Sequence, residues 1–269
     1  MTRESEVLTN AYTSGTTNAA ANNWPKVIGM PVSPLNLDEC IEQILSWGAL
    51  KESRYVCVAN VHMAVESELN AKFREVVASA DLVTSDGMPL VWLLKTLGYR
   101  KKERVCGRDI MKRTFEQAQE RKLAIGFFGG QEESLRALIE RTAATYPTLD
   151  IAFHESPPFR ELTPEEDEDC IERINTSGIG ILFVGLGCPK QEFWMAAHAG
   201  RVNAVMIGVG AAFDFLSGQK KNAPHVLQKL GLEWLYRLYQ EPRRLWRRYL
   251  YTNTYFIFLL LLNLIRTRT

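Results

Sequence analysis

The sequence contains few cysteines and histidines, and neither residue is spaced as metal sites or disulfide frameworks require. Its five cysteines are scattered singly, without a CxxC pair, and their number is odd. This pattern is typical of reduced thiols in a cytosolic protein rather than of a zinc site or a disulfide-stapled fold. The four histidines also lack the spacing of metal ligands. We therefore predict that the protein carries no metal ion and no cofactor.

The sequence also has almost no net charge, and it has no recognisable secretory signal. The 32 Lys and Arg residues nearly balance the 31 Asp and Glu residues, so the overall charge indicates no particular partner. The first residues are rich in Thr, Asn, Ser and Ala and do not include the apolar segment of a signal peptide. Because so little apolar surface cannot offset the entropy of ordering, we expect residues 1–24 to form a disordered leader.

Apolar residues, by contrast, make up 46% of the 269 residues, which is enough for a sizeable core. Strand-like runs alternate with helix-like segments from residue 25 to about 222, beginning with a short strand predicted at 27–32. The unbroken apolar runs predict a parallel sheet covered on both faces. Their alternation with helices predicts an α/β fold, a Rossmann-like doubly wound and mostly parallel sheet, over residues 25–222.

In a doubly wound sheet, ligands bind beyond the carboxyl ends of the strands. Three glycine pairs follow predicted strands there: Gly129 and Gly130, Gly185 and Gly187, and Gly208 and Gly210. Glycine lets backbone N–H groups approach a phosphate at the start of the next helix. None of the pairs completes a GxGxxG motif, and a tight strand-to-helix turn explains each of them at least as well. Taken together, they favour a nucleotide diphosphate along this edge.

Asp86 also follows a predicted strand, and it precedes Gly87. A carboxylate in such a turn can point into the binding crevice and act as a general base. It can equally cap the helix predicted to begin near Met88, since Asp is a preferred N-cap residue. The pattern favours neither interpretation, and one residue can serve both purposes.

The composition changes after about residue 222. Residues 225–269 contain seven arginines and one lysine against two glutamates, and the uncharged run 249–265 follows the main arginine cluster. Basic residues beside an apolar segment suit an anionic membrane surface, and the run is slightly short for a membrane span. We therefore predict that residues 223–269 form a helical, membrane-associating appendage. Because Pro242 interrupts the basic segment, two helices are expected there rather than one.

The arginines of this appendage allow other interpretations. Arginine forks bind diphosphates as well as membrane surfaces. The tail can instead pack against the core or against a second subunit, which would make the protein a homo-oligomer. Nucleic-acid binding is disfavoured, because the strongly apolar segment fits lipid better than it fits a phosphate backbone.

Several motifs, in order along residues 27–251, resemble the WecG/TagA/CpsF family of bacterial glycosyltransferases. They are ADLVTSDGM at 80–88, ERVCGRD at 103–109, FFGG at 127–130, VGLGCPKQE at 184–192, GVGAAFDF at 208–215, LEWLYR at 232–237 and EPRR at 241–244. The resemblance implies an inverting, metal-independent transfer from a UDP-sugar, such as UDP-N-acetylmannosamine or a related hexose, to a polyprenyl-diphosphate-linked sugar. It implies a peripheral enzyme on the cytoplasmic face of the membrane, acting in the biosynthesis of teichoic acid, exopolysaccharide or other surface polymers.

The resemblance also assigns roles by position. Asp86 matches the proposed general base, and a dry pocket closed by the appendage would raise its basicity. Six further residues match substrate-binding positions: Asn60, Arg104, Gln191, Arg237, Arg244 and Arg247. Two positions depart from the family, because Val58 replaces a frequent Thr and Ser85 replaces a Pro. The first departure removes a hydroxyl that is expected to contact donor or acceptor.

Asp167, Glu168 and Asp169 formally match the DxD motif with which many glycosyltransferases hold a metal ion. They lie in an acidic stretch of a predicted surface helix, so a solvated charged face is the favoured interpretation. Two rival functions remain open. One is a membrane-associated nucleotide-binding protein without turnover, and the other is a soluble enzyme that modifies nucleotide sugars and uses its tail as an oligomer interface.

Overall fold

The computed structural model describes residues 24–100 and 102–266, with side chains up to residue 262. A small hairpin of β1 (Lys26–Val27) and β2 (Met30–Pro31) precedes the main sheet. The main sheet contains β3 (Arg54–Ala59), β4 (Leu82–Ser85), β5 (Ile125–Gly129), β6 (Ile151–Glu155), β7 (Ile181–Gly185) and β8 (Val205–Gly208). Its order is β4-β3-β8-β7-β5-β6, and every neighbouring pair is parallel. The predicted parallel α/β sheet is thus confirmed.

The helices that follow the strands cover both faces of this sheet. Those before residue 222 are α1 (Leu37–Ala49), α2 (Val61–Leu69), α3 (Ala71–Ala78), α4 (Met88–Thr96), α5 (Gly107–Arg121), α6 (Glu132–Thr145), α7 (Pro164–Thr176), α8 (Lys190–His198) and α9 (Ala212–Leu216). One core cluster joins α1, α5, α6 and α9 to one face of the sheet, and a second joins α2, α3, α4, α7 and α8 to the other. Alternate strand residues such as Val56 and Cys57 point into opposite clusters, which is the doubly wound arrangement that the apolar runs predict.

Local sequence signals explain where several helices begin. The side chain of Asn36 accepts from the N–H of Glu39 at 2.9 Å, and Glu39 bonds back to Asn36, so a capping box starts α1. Thr163 and Glu166 form the same box at α7. Helix α2 was not predicted, although Asn60, a preferred N-cap residue, stands immediately before it.

The predicted strand at 27–32 is wrong in detail. The segment forms the β1–β2 hairpin instead, with Lys26 opposite Pro31 and Val27 opposite Met30. The chain reverses at Ile28 and Gly29, whose φ angles are 50° and 75°. Glycine adopts such a positive φ without steric cost, so Gly29 is the residue that ends the strand.

The appendage consists of α10 (His225–Lys229), α11 (Glu233–Gln240) and α12 (Pro242–Arg266). The helix break predicted at Pro242 is confirmed, since α12 begins there. Helix α12 packs against α2 and buries Phe256 and Leu259 in the hydrophobic core. Within the described parts of the chain, no helix combines the length and apolarity that crossing a bilayer requires. The leader was predicted at residues 1–24. Its first 23 positions lie outside the described residues, and its last, Trp24, packs against the core.

Candidate active site

The predicted site residues meet at the carboxyl edge of the sheet, because parallel strands all end there. Asn60 follows β3, Asp86 follows β4, and the turns at 185–189 and 209–211 follow β7 and β8. A Cβ placed on Gly87 would lie 3.8 Å from the Cα of Asn60, so the turns after β3 and β4 are in contact. The backbone N–H of Asp86 also donates to the carbonyl of Ala59 at 2.8 Å. The fold therefore holds the Asp86 turn against β3.

Asp86 does not cap the helix that follows it. The N-cap of α4 is Gly87, and no side chain bonds to the first turn of that helix. The Asp86 carboxylate turns instead to Arg104, whose Nη2 and Nε lie 3.0 and 3.2 Å from Oδ1. Of the two interpretations of Asp86, the helix cap is wrong. Its role as general base stays a prediction.

Arg104 links this aspartate to the appendage. Its Nη1 lies 2.7 Å from Oε2 of Glu233, the first residue of α11. Burial raises the pKa of Asp86 above its ordinary value; the guanidinium of Arg104 opposes that rise, and the carboxylate of Glu233 adds to it. The direction agrees with the expectation that a dry pocket under the appendage makes Asp86 more basic. About a quarter of the side chain, 27%, stays exposed and open to a reactant.

Asn60 is the N-cap of α2, which sequence reasoning did not recognise. Its Oδ1 accepts hydrogen bonds from the backbone N–H groups of His62 at 3.0 Å and Met63 at 3.2 Å. Among the described residues, no group accepts from its amide nitrogen Nδ2. The helix therefore fixes the orientation of the Asn60 amide and leaves two N–H groups for a ligand at the sheet edge.

Gln191 lies behind the turn that follows β7. The side chain is 4% exposed, and its Oε1 accepts from the N–H of Gly187 at 3.1 Å. Its Nε2 donates to Glu192 at 2.8 Å and lies 3.0 Å from the place that a Cβ on Gly208 would take. Gln191 thus joins the turns after β7 and β8, and little of it is open to a substrate.

The six predicted nucleotide-binding glycines have different surroundings. A Cβ on Gly129 would lie 2.7 Å from the backbone of Gly185, and one on Gly185 would lie 2.7 Å from Phe213. Gly208 is covered by Met195 and Gln191, and Gly130 by Phe213. Close packing accounts for glycine at these four positions. Gly187 is open, with φ +82° and nothing within 4 Å of its missing Cβ, and Gly210 has only Gln191 beside it at 3.5 Å. Nucleotide binding by this group remains a prediction, and Gly187 is its most accessible member.

The three predicted arginines of the appendage are not equally placed. Arg237 lies over the ring of Phe215 at 5.5 Å, its buried Nε has no hydrogen-bond partner among the described residues, and its charge acts on Asp86. Arg244 pairs with Glu241 at 2.5 Å. Arg247 stacks on Trp246 at 5.2 Å on the outer face of α12. Only Arg237 is brought to the Asp86 pocket.

A profile of the WecG/TagA/CpsF glycosyl transferase family matches residues 25–269. The chain belongs to this family. It is also similar to the N-acetylglucosaminyldiphosphoundecaprenol N-acetyl-beta-D-mannosaminyltransferase of Bacillus spizizenii, with 29% identity over 231 residues. The match covers 82% of this chain and 88% of the relative. The protein is therefore a glycosyltransferase, and family membership favours catalysis over the alternative of nucleotide binding without turnover.

The glycosyltransferase contains an arginine that sequence reasoning passed over. Arg248 is an exposed residue, but partial desolvation by its neighbours is the main cause that lowers its pKa, and the nearby charges of Arg237 and Arg244 lower it too. It faces His62, Cys188 and Glu192 from α12. No carboxylate forms an ion pair with Arg237 or Arg248 within the described part of the chain. The signal in the sequence was the Arg247–Arg248 pair, of which only one member can face the core on a helix.

His62 and Glu192 were also missed as members of this region. Burial and, to a smaller extent, the nearby charge of Arg248 together lower the pKa of His62 to about 4. Burial raises the pKa of Glu192 to about 7, against the effect of a hydrogen bond from Gln191. Both side chains have a buried polar atom without a hydrogen bond of ordinary geometry to the described residues. Strongly shifted pKa values in a cleft are typical of functional sites.

The DxD-like segment lies on α7, as predicted, and its acids are paired with basic residues. Asp167 accepts from Nε2 of His198 at 3.0 Å, and Asp169 accepts from Arg173 at 2.9 Å. Glu168 pairs with Arg201. Across residues 24–100 and 102–266, no three acidic, histidine or cysteine side chains are grouped as ligands for a metal ion.

Proposed function

We propose that this glycosyltransferase moves N-acetylmannosamine, or a related hexose, from its UDP derivative to a polyprenyl-diphosphate-linked N-acetylglucosamine, with inversion and without a metal ion. The observation that carries the proposal is Asp86 at the sheet edge, 27% exposed and held by Arg104, which in turn pairs with Glu233 of the appendage. The relative from Bacillus spizizenii, whose printed name specifies mannosaminyl transfer to such an acceptor, supports this choice of donor sugar and acceptor.

Asp86 acts as the general base of the transfer. The acceptor hydroxyl oxygen attacks the anomeric carbon, the bond from that carbon to the UDP oxygen breaks, and the hydroxyl proton passes to Asp86. Arg104 contacts Oδ1, and no described residue bonds to Oδ2, so Oδ2 is free to take the proton. Because the acceptor oxygen attacks on the face opposite the departing UDP, a single displacement of this kind inverts the anomeric configuration. General-base catalysis of this kind contributes about 10²–10⁴-fold to a rate.

Arg237 and Arg248 stabilise the departing UDP. Negative charge grows on the diphosphate as the glycosidic bond breaks, and preorganised cations in a dry site stabilise such charge strongly. Neither guanidinium group forms an ion pair with a carboxylate among the described residues, and Glu66 and Glu192 act on Arg248 only at longer range, which leaves donors of both arginines for phosphate oxygens. This role replaces the metal ion that other glycosyltransferases use.

The appendage brings the enzyme to its acceptor at the membrane. The outward face of α12 carries six exposed apolar side chains: Trp246, Leu250, Tyr251, Ile257, Phe258 and Leu261. Arg243 and Arg247 lie on the same helix, and cations beside an apolar face suit an anionic lipid surface. We therefore assign the enzyme to the inner face of the cytoplasmic membrane, with residues 25–222 as catalytic domain and 223–269 as membrane-contacting appendage.

The test is transfer by the purified full chain to a synthetic polyprenyl-diphosphate N-acetylglucosamine. UDP-N-acetylmannosamine, UDP-N-acetylglucosamine and UDP-glucose are compared as donors, with and without EDTA, and NMR reports the anomeric configuration of the product. We expect the N-acetylmannosamine donor to be preferred, EDTA to have no effect, and the product to be inverted. UDP binding without transfer from any donor would favour the non-catalytic alternative. A retained configuration would exclude the role of Asp86 as base.

A further inference from the structure

Glu192 is buried directly behind the turn that follows β7. The residue has no exposed surface (0%), and its Oε1 accepts from Nε2 of Gln191 at 2.8 Å. Its Oε2 has no hydrogen bond of ordinary geometry to the described residues, and the thiol of Cys188 lies beside it. A fully buried carboxylate whose Oε2 lacks a well-formed hydrogen bond is unfavourable for folding, even with the weak donors that the Cys188 thiol and its own backbone N–H supply, which indicates that the position serves a purpose other than packing.

Gln191 connects this carboxylate to the open turn. The N–H of Gly187 donates to Oε1 of Gln191 at 3.1 Å, and the N–H of Gln191 donates to the carbonyl of Gly187 at 2.9 Å. Both backbone polar groups of Gly187 therefore depend on Gln191. Gly187 has φ +82° and open space around its missing Cβ, so this is where a ligand can approach the turn closely.

The hydrogen bond to Glu192 determines which end of the Gln191 amide faces Gly187. If the amide rotated by 180°, its NH₂ group would meet the N–H of Gly187, donor against donor. An ionised carboxylate accepts hydrogen bonds and donates none, so it holds the amide nitrogen on its own side and leaves the oxygen for Gly187.

We propose that Glu192 is a positioning residue of the active site, which fixes the Gln191 amide and through it the Gly187 turn against which the nucleotide of the donor binds. The inference rests on the proposed function, since it requires that this turn contacts the donor. Neither the turn nor the glutamate reacts with the sugar.

The surroundings of Glu192 make its hydrogen bond with the Gln191 amide dependent on pH. Cys57 on β3, Cys188 in the turn and Arg248 on α12 face the carboxyl group. Burial raises its pKa to about 7, and Arg248 opposes the rise. Above that pH the carboxylate holds Gln191 strongly, and below it the protonated group is a weaker acceptor. UDP binding should therefore strengthen as the pH rises through about 7.

The experiment compares the full-length wild type with Glu192→Gln and Glu192→Ala between pH 6 and 8.5. Calorimetry gives the affinity for UDP, hydrogen–deuterium exchange follows the peptide that contains Gly187, and steady-state kinetics separates the donor KM from kcat. Glu132→Gln is the matched control, because Glu132 also lies in a first helical turn after a glycine pair but is exposed.

We expect Glu192→Ala to weaken UDP binding about tenfold, as loss of a charge-assisted hydrogen bond does, and to raise the donor KM similarly while kcat changes little. Exchange in the Gly187 peptide should accelerate. Glu192→Gln, which keeps the shape and can keep the hydrogen bond, should remove the pH dependence near 7. If Glu192→Ala does not fold, the pH dependence of UDP binding in the isosteric Glu192→Gln variant tests the inference by itself.

Two results would overturn the inference. One is unchanged exchange, UDP affinity and pH dependence in the folded variants. The other is faster exchange of the Gly187 peptide with undiminished UDP binding, which would mean that the turn does not contact the donor. Failure of the proposed function gives a different pattern, in which wild type transfers no sugar from any donor tested, whatever the exchange experiment shows.

Discussion

The two sides of the catalytic edge carry their charges in different ways. On the β4 side, Asp86, Arg104 and Glu233 form a connected ion-pair network with separations of 2.7 and 3.0 Å. On the other side, Arg237 on α11 and Glu192 on α8 form no ion pair among the described residues, and Nε of Arg237 and Oε2 of Glu192 are buried without a hydrogen-bond partner there. Oε2 of Glu233 also lacks a hydrogen bond of ordinary geometry, but it lies 2.7 Å from Nη1 of Arg104. Unpaired buried charge is costly, so it persists where a ligand supplies the missing partner. Under the proposed function, the side that activates the acceptor is already paired before substrate binds, whereas the side that binds the nucleotide gains its partners from the substrate.

The largest effect should come from the paired side. Asp86→Asn keeps the shape of the side chain but removes the base, so kcat should fall about 10³-fold while the affinity for UDP stays near that of wild type. Steady-state transfer assays and calorimetry measure the two quantities. Asp38→Asn is the control, since Asp38 is an exposed aspartate that also pairs with an arginine. If Asp86→Asn lost UDP binding as well as kcat, Asp86 would contribute to the nucleotide site, and the two sides would not have separate roles.

Substitutions on the unpaired side should weaken UDP binding as well as catalysis. Arg237→Ala and Arg248→Ala each remove a cation from the diphosphate, and we expect kcat/KM to fall about 10²-fold with clearly weaker UDP binding. Lysine at either position should restore part of the loss. Arg136→Ala, on the exposed surface of α6, is the control. Wild-type kinetics in both alanine variants would show that the leaving group is stabilised elsewhere.

The stability of the unpaired side should depend on pH through two opposing groups. The pKa of Glu192 is raised from 4.5 to about 7, so the folded state binds more protons than the unfolded state and stability falls between those pH values, by about 3 kcal/mol. The pKa of His62 is lowered from 6.5 to about 4, so stability rises across a similar range. The changes in the free energy of unfolding that Glu192 and His62 cause as the pH rises therefore largely cancel in the wild type.

Glu192→Gln removes one of these two contributions. The free energy of unfolding of this variant, measured with urea from pH 4.5 to 7, should then rise with pH, because only the contribution of His62 remains. His62→Gln should show the reverse, a fall with rising pH. Parallel pH profiles for both variants and wild type would mean that neither group changes its protonation on folding.

The smallest effect is expected outside the edge, on the apolar face of α12. Leu250→Glu should weaken binding to anionic vesicles about tenfold, since burial of one leucine in lipid contributes about 1.5 kcal/mol, and should leave transfer to a water-soluble acceptor analogue unchanged. Vesicle sedimentation measures the binding. Leu50→Glu, an equally exposed leucine at the end of α1, is the control. If Leu250→Glu instead changes the molar mass in solution, the face is an interface between two copies.

Much of the catalytic domain was predictable because its signals are local. Apolar runs such as 181–184 specify buried parallel strands, and a carboxylate or amide after a strand must lie at one edge of the sheet. The less visible features involve short helices. Nine-residue α2 carries only a modest apolar periodicity, and its clearest signal, the Asn60 cap, is a single residue. The hairpin at 26–31 reverses at two residues, Ile28 and Gly29, of which only the glycine is a recognisable turn signal.

Long-range contacts account for the rest of the site. Arg104 and Glu233 are far apart in sequence, and no local pattern in either motif predicts that they form an ion pair. Likewise, the packing of α12 against α2 brings the charge of Arg248 near His62 and Glu192, while Arg247 stacks on Trp246. Such choices depend on how whole helices pack, which periodicity within one helix does not determine.

The sequence by itself determined the parallel α/β sheet, the edge at which Asn60 and Asp86 meet, and the family, because these follow from local patterns and from motifs in a fixed order. Tertiary structure alone decided which charges are paired. It turned Asp86 from the helix start to Arg104, placed Glu233 over them, and buried Glu192 behind the Gly187 turn. The physical reason is that desolvation and ion pairing depend on what surrounds a side chain in space, and those surroundings come from distant parts of the chain.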